Sequence, residues 1–335
     1  MHGKYVKLMN YTKIDLYSYL YNLLLQIPDG MVSTYGDLAV ALGDKISARA
    51  VGYMLSLNNY PDKYPCYKIV YSDGTAGNYA LGAEEKIRRL KNDGINVING
   101  KIDNFNKLVF RDFKSDYPLK KLMMEQNKIS GHIDTNDYEI PKSVAAVDVS
   151  YVGRYGYGAM VIKEGDNIVV RYFKEESKFP YIPGYLGYHE TPYIENLVRD
   201  FDGIILIDGN GILHPRMCGL ATFYGVLFNK QTIGVAKSLL LGDIGNNYIY
   251  YNNKPLGYQV NKRTIVSPGN KIGLEKSVEY IKSIGNGKYP QILQMAHNET
   301  VKFRKSGDCR DRTKAMDSGS ISAGIRGFES PSPHF

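Results

Sequence analysis

The chain has 335 residues, 43% of them hydrophobic, and a formal net charge of +8; that is room for two ordinary domains with cores, and a basic balance that suits a polyanionic partner such as nucleic acid. Its three cysteines, Cys66, Cys218 and Cys309, exclude a disulfide framework and supply no zinc-ligand spacing. No apolar run is long enough to span a membrane, and the opening MHGKYVKLMN lacks the apolar core of a signal peptide, so a cytoplasmic monomer with no membrane partner is the expectation.

In chain order, IDLYSYLYNLLLQI carries apolar residues at helical spacing and stops at the turn Pro28-Asp29-Gly30. Ser33 or Thr34 can cap a helix through Tyr35–Ala39, which Gly43-Asp44 breaks, and Ser47 opens a second short helix, ARAVGYMLSL. Two short helices joined by a Gly-containing turn have the pattern of a helix-turn-helix, and equally of any small helical bundle. Pro65-Cys66-Tyr67-Lys68-Ile69-Val70 is either a buried strand or a presented nucleophile. From Lys101 to Pro141 the character changes, and PLKKLMMEQNKI reads as an amphipathic helix. These features predict a mainly α domain over 1–108, a second domain over 109–303, and a Ser/Gly-rich, charged tail over 304–335 that is expected to be disordered.

The second domain reads as α/β. VAAVDVSYV, YGYGAMVIK and IVVRYFK form an antiparallel meander, followed by a helical stretch from Thr191 to Arg199, the run GIILID, a helix through Leu220 to Phe228 and the run TIGVAK. Continuous apolar strands separated by a helix imply buried parallel pairing, and hence a mixed sheet of ribonuclease-H-like architecture. Asp148 lies inside the first strand, Asp208 ends GIILID, and Glu190 is set in a turn-rich segment before a helix. A carboxylate beside a buried strand is costly unless a cation or donors compensate it. Three from separate elements make a plausible magnesium site, since magnesium prefers hard oxygen ligands, and such a metal can activate water for attack on a phosphate. Lys237, ending TIGVAK, would lie near Asp208 and could hold a phosphate.

The strings DVSY, FPYIPGYLGYHE, LIDGNGILHPR, IGVAKSLL and VSPGNKIGLE, in this order and spacing, resemble endonuclease V over roughly residues 115 to 301. The resemblance implies a magnesium-dependent nuclease, with manganese as an alternative, that nicks DNA near deaminated bases, above all hypoxanthine; inosine-containing RNA is a second candidate partner. By position it makes Asp148, Glu190 and Asp208 metal ligands, and His214 and Lys237 phosphate or leaving-group contacts. His297 is matched to a late histidine of the site. Pro180, Tyr181, Ile182 and Pro183 become the wedge entering the helix at the lesion, and Gly184, Leu186, Gly209 and Gly219 the pocket for the extruded base. A Tyr/Ile pair between prolines is stiff and apolar, suited to replace lost base stacking. Asn210 and His189 depart from the family pattern, where a histidine and an arginine are usual.

Upstream, IPDGMVSTYGDLAVALG, SARAVGYML, NNYPDKYPCYKIV and GAEEKIRRLKNDG resemble the DNA-binding and active-site domain of alkylguanine-DNA alkyltransferases, over about residues 14 to 95, which implies a winged helix-turn-helix-like fold. That family extrudes a damaged guanine and moves its alkyl group to a cysteine. By position, Tyr35 helps rotate the nucleotide out, Arg49 fills the gap in the stack, Asn58 holds the active-site loop and Cys66 accepts the alkyl group. A thiolate is needed for attack, yet the usual histidine is Tyr67, the arginine is Lys68 and the acid is Asp93; a phenol, with its ordinary pKa of about 10, is a poor base. The sequence thus predicts a bifunctional DNA-repair protein acting on damaged DNA; the alternative is an endonuclease V whose first domain binds lesions without reacting.

Overall fold

The structure, a computed structural model, describes residues 10–285, 288–306 and 314–316. Asp15 starts helix α1 (Leu16–Leu24), its carboxylate accepting the Ser18 N–H at 3.0 Å, and the helix buries Leu16, Tyr17, Leu20, Tyr21, Leu23 and Leu24. Strand β1 (Ser33–Thr34) leads into α2 (Tyr35–Leu42), capped by Thr34, which accepts the Asp37 N–H at 3.0 Å. Gly43 ends α2 at φ +103°, where a Cβ would approach the Lys120 nitrogen to 2.8 Å, so no side chain fits there. In α3 (Ala48–Ser56), Ser47 holds the N-cap position, but its hydroxyl donates to the Asp44 carbonyl at 2.7 Å instead of capping. Strand β2 (Ile69–Val70) pairs in parallel with β1; α4 (Ala83–Asn92), the hairpin of β3 (Val97–Ile98) and β4 (Lys101–Ile102), and α5 (Phe105–Leu108) complete the N-terminal helical half.

After α6 (Pro118–Ser130) come β5 (Val144–Val152), β6 (Tyr155–Glu164) and β7 (Asn167–Glu176), an antiparallel meander as the sequence predicts. Next are α7 (Leu186–Leu197), β8 (Ile204–Asp208) in parallel with β5, α8 (Leu220–Leu227), and β9 (Thr232–Ala236) in parallel with β8. Four antiparallel strands, β10 (Asp243–Gly245), β11 (Tyr248–Tyr251), β12 (Lys254–Asn261) and β13 (Thr264–Asn270), extend the sheet from the β9 edge. Helices α9 (Leu274–Gly285) and α10 (Gln291–Ser306) follow, and β14 (Lys314–Met316) pairs with β7. The mixed sheet runs in the order β10-β11-β12-β13-β9-β8-β5-β6-β7-β14. Among the described residues no helix is long and apolar enough to cross a membrane.

Three expectations change. The helix predicted from Thr191 begins at Leu186 and carries Pro192 within it, so Glu190 lies on α7 and not in a turn. The tail expected to be disordered contributes the last residues of α10 and strand β14; its other residues, with Cys309, lie outside the described ones. The two halves also share a core, beside a smaller cluster of Val32, Val70, Ala76, Leu90, Ile95 and Ile102 that belongs to the first half alone. Along β5 the side chains alternate between faces, Ala145 and Val147 on one, Val144 and Ala146 on the other. The first face joins a cluster running from Leu16, Leu20 and Leu24 through Leu38 and Met54 to Ile194, Phe223 and Leu227; the second packs under α9 and α10. Polar contacts reinforce the junction: the Leu16 N–H donates to the Lys178 carbonyl at 2.9 Å, the Tyr53 hydroxyl to the Gly153 carbonyl at 2.7 Å, and the Tyr185 hydroxyl to Asp44 at 2.7 Å.

Candidate active sites

The parallel β5–β8 register pairs Val147 with Ile207, so Asp148 and Asp208 sit one step beyond, side by side on neighbouring strands. Asp208 pairs with Val235 on β9, and Lys237, two residues on, faces the same way. The Lys237 ammonium donates to Asp208 Oδ2 at 2.6 Å. Asp148 Oδ2 is bonded to His297 Nδ1 at 2.9 Å and accepts from the Thr300 hydroxyl at 3.3 Å, both on α10. Glu190, from α7, lies within reach of the charges of both aspartates. Burial and the nearby Asp148 and Asp208 charges push its carboxyl well above the usual carboxylate range. Burial also raises Asp208, against the opposing pull of Lys237, and the bond to Asp148 raises His297.

Among the described residues, no group of three His, Cys, Asp or Glu side chains is arranged to hold a metal ion as it stands. Asp208 is paired with Lys237 and Asp148 with His297. The donor set nonetheless fits a divalent cation. Burial resists the charging of Glu190 and Asp208 close to the Asp148 carboxylate, and a cation is what relieves that cost.

Eighty-two residues before Asp148, Cys66 lies at the start of a single helical turn before β2. It is a buried, free thiol, 6% exposed. Its sulfur is the partner of Asn58 Nδ2 at 3.1 Å, and Asn58 Nδ2 also reaches the Tyr64 carbonyl at 3.0 Å, which fixes the loop. Tyr35, Arg49, Tyr71 and Tyr79 line the cavity in front of the thiol, and the Tyr35 and Tyr71 rings lie 5.6 Å apart. Burial raises the thiol pKa; the Asn58 bond and the charges of Lys86 and Arg89 oppose it. Tyr67 points elsewhere: its hydroxyl donates to Asp93 at 2.9 Å, and Lys68 pairs with Asp93 at 3.2 Å and Asp29 at 2.9 Å. Burial and the Asp93 bond hold the phenol well above its ordinary value, so Tyr67 is no base at neutral pH.

A family model described as Endonuclease V matches residues 126–298, and one described as 6-O-methylguanine DNA methyltransferase, DNA binding domain, matches residues 15–95. A bifunctional methyltransferase/endonuclease from Picrophilus torridus is 57% identical over 294 residues, covering 88% of this chain and 98% of its own. The chain belongs to the bifunctional methyltransferase/endonuclease family. A second member, from Thermoplasma volcanium, is 48% identical over 87% of this chain and 91% of its own. Among solved structures, Ciona intestinalis endonuclease V in complex with a 24mer DNA containing an inosine followed by a ribo-adenosine is 25% identical, with a TM-score of 0.51, covering 58% of this chain and 100% of that one. The protein is thus an enzyme with a helical methyltransferase half and a mixed-sheet endonuclease V half, and the endonuclease V family uses a divalent metal.

Within this bifunctional frame the remaining residues divide. The Pro180–Pro183 segment alternates: Tyr181 is 61% exposed and Pro183 is also exposed, whereas Pro180 and Ile182 are buried. Ile182 anchors the segment in the core, and Tyr181 and Pro183 are its exposed members. Gly209 is brought to Leu186 and Leu220; a Cβ on it would lie 3.9 Å from Leu186 Cδ2, and its φ of +152° disfavours any side chain. A Cβ on Gly219 would lie 2.3 Å from the Asn210 carbonyl oxygen, so that backbone is close-packed. The Gly184 carbonyl is taken by Gln126 Nε2 at 2.9 Å and by the Arg216 guanidinium. The buried Asn210 Oδ1 has no partner among the described residues.

His214, expected at a phosphate or leaving group, is buried and hydrogen-bonded within its own turn. It is 4% exposed, its Nδ1 accepts the Arg216 N–H at 3.2 Å, and burial lowers its pKa to about 4. It is a neutral cap of the turn before Cys218. His189 is likewise neutral, lowered to about 4 by burial, with its ring stacked 4.2 Å from Tyr151. Two residues escape a sequence reading altogether. Thr300 reaches Asp148 because α10 packs along β5. Lys86 is 1% exposed, donates to the Ile69 carbonyl at 2.6 Å, and has its pKa lowered to about 8 by burial. Its place in the strongly charged run AEEKIRRLK hides it; a lysine one turn before the apolar Leu90 is the only signal.

Proposed function

We propose that this enzyme moves the alkyl group of an alkylated guanine to Cys66 and, with magnesium or manganese, nicks DNA near deaminated bases, hypoxanthine above all. The observation that carries the nuclease is the burial of Glu190 within reach of the Asp148 and Asp208 charges, which together lift it out of the ordinary carboxylate range. These three would hold the metal, which would supply charge neutralisation and an activated water. Lys237, once released from Asp208, is placed to hold a phosphate oxygen; His297 keeps Asp148 oriented; Tyr181 stands where a base has left the stack. The domains divide near residue 108. The turn at Gly43 between α2 and α3 supports a winged helix-turn-helix reading of the first half, and the order β9-β8-β5-β6-β7 supports a ribonuclease-H-like reading of the second.

In the first half the thiolate sulfur attacks the alkyl carbon, the C–O bond to guanine breaks, and its electron pair stays on the guanine, which takes up a proton. Lys86 and Arg89 favour the thiolate that this needs. Nicking of a hypoxanthine-containing duplex with and without magnesium tests the nuclease. Metal-dependent nicking by the wild type and its loss in Asp208→Ala are expected; no nicking by the wild type, or full nicking by the variant, refutes it.

A further inference from the structure

A second cavity, of about 620 Å³, opens where the two halves meet. That is within the range of about 300–1,000 Å³ that holds small organic groups. One wall is α3, through Arg49 and Tyr53; the other is the nuclease half, through Tyr151, Tyr181 and His189; Tyr17 of α1 contributes to the lining. The lining residues include several aromatic faces and a guanidinium but no carboxylate, and Arg154 lies over the Tyr17 ring at 4.3 Å. Aromatic faces with a cation are what a base and its phosphate require.

Its position carries the inference. Arg49 borders this cavity and also the one in front of Cys66. On the far wall, Tyr151 shares β5 with Asp148, and His189 precedes Glu190 on α7. The cavity therefore lies between the two reactive centres and touches the neighbours of each. The hydrogen bonds across the junction, Tyr53 to Gly153 and Tyr185 to Asp44, together with the continuous core, hold the two walls in register.

We propose that this cavity is one DNA-entry site shared by both halves, occupied by one damaged strand at a time, with Arg49 gripping the strand for the nuclease as well as for the cysteine and Tyr181 serving alkyl transfer as well as nicking. Two independent sites would bind two duplexes; a shared site makes a lesion of one kind a competitor for repair of the other. The inference rests on the proposed nuclease and alkyl-transfer activities.

The test uses the full chain carrying Cys66→Ala, so that a methylguanine duplex is held but not consumed. Nicking of a labelled hypoxanthine duplex is followed against substrate concentration, with undamaged or methylguanine duplex of the same sequence as competitor. The methylguanine duplex is expected to raise KM about tenfold more than the undamaged one, with kcat unchanged. An equal KM with the two competitors overturns the shared site. In parallel, Arg49→Ala and Tyr181→Ala are each expected to weaken both activities, by about tenfold to a hundredfold in line with the loss of one base-stacking or cation contact. If Arg49→Ala lowers only alkyl transfer and Tyr181→Ala only nicking, the sites are separate. The competition arm alters no cavity residue, so a folding defect in either variant leaves the test decisive. Failure of the wild type to nick at all would sink the nuclease itself; two active but independent halves would sink only the sharing.

Discussion

The carboxylate site and the cysteine site are both tuned by desolvation, with opposite consequences. At the first, burial and like charges raise Glu190 and Asp208, so the apo site resists the charge that a metal needs, and a cation is the remedy. At the second, burial raises the Cys66 thiol on balance, and the opposing pull is built in: Asn58, Lys86 and Arg89 all favour the thiolate. One site waits for an external charge; the other has charges of its own that offset part of the cost of burial.

That contrast can be broken from either side. The largest effect belongs to the ligands: Asp208→Ala or Glu190→Gln is expected to cut nicking by about a thousandfold or more, the several kcal/mol that metal stabilisation supplies, while alkyl transfer by the same variants stays near that of the wild type. A comparable loss of transfer would show that the sites are not chemically separate. Next comes Tyr67→His. A base at the position that follows the cysteine is expected to speed labelling of Cys66 by about a hundredfold if it turns from Asp93 to the thiol and proton removal limits the reaction; no change would mean that it stays on Asp93 or that Lys86 and Arg89 already suffice.

Smaller effects concern stability. Glu190 has a folded pKa above its unfolded one, so its penalty is absent at low pH and grows as pH rises through the unfolded carboxylate range towards the folded value. Glu190→Gln is therefore expected to raise Tm by a few degrees at pH 8 without metal and hardly at all at pH 4, measured by calorimetry. Magnesium should raise the wild-type Tm more at pH 8 than at pH 5. For Lys86 the folded pKa is depressed to about 8, so the unfolded chain binds the extra proton between there and the usual lysine value, and stability rises with pH over that window. Lys86→Met should flatten the rise, and should also cost about 1–3 kcal/mol from the Ile69 carbonyl left unpaired.

Much of this was legible because local chemistry and fold agree. The alternation around Asp148, the apolar run ending at Asp208 and the Thr34 cap all follow from periodicity and from a short polar side chain before a helix. What was not legible depends on packing between distant segments. Glu190 reads as a turn residue because Pro192 follows it, yet α7 starts six residues before that proline and carries it inside. Ile182 reads as wedge because nothing local says which way it points; the core claims it at 0% exposure. That His214 is buried and held neutral is likewise not written in the string HPR. The short runs between Asp243 and Asn270 carry irregular pairing, with register shifts in β11 and β12, so a simple period of two does not announce them. The shared core is invisible in composition, since both halves are apolar enough to fold around cores of their own.

The most direct test of two activities in one chain is to incubate the full protein with duplex DNA carrying labelled methylguanine, then digest it and map the label. The account predicts stoichiometric label on the peptide containing Cys66, none on Cys218, and none after Cys66→Ala. Absence of label from Cys66, while the same preparation nicks hypoxanthine DNA with magnesium, would contradict it and leave the first half a lesion-binding module.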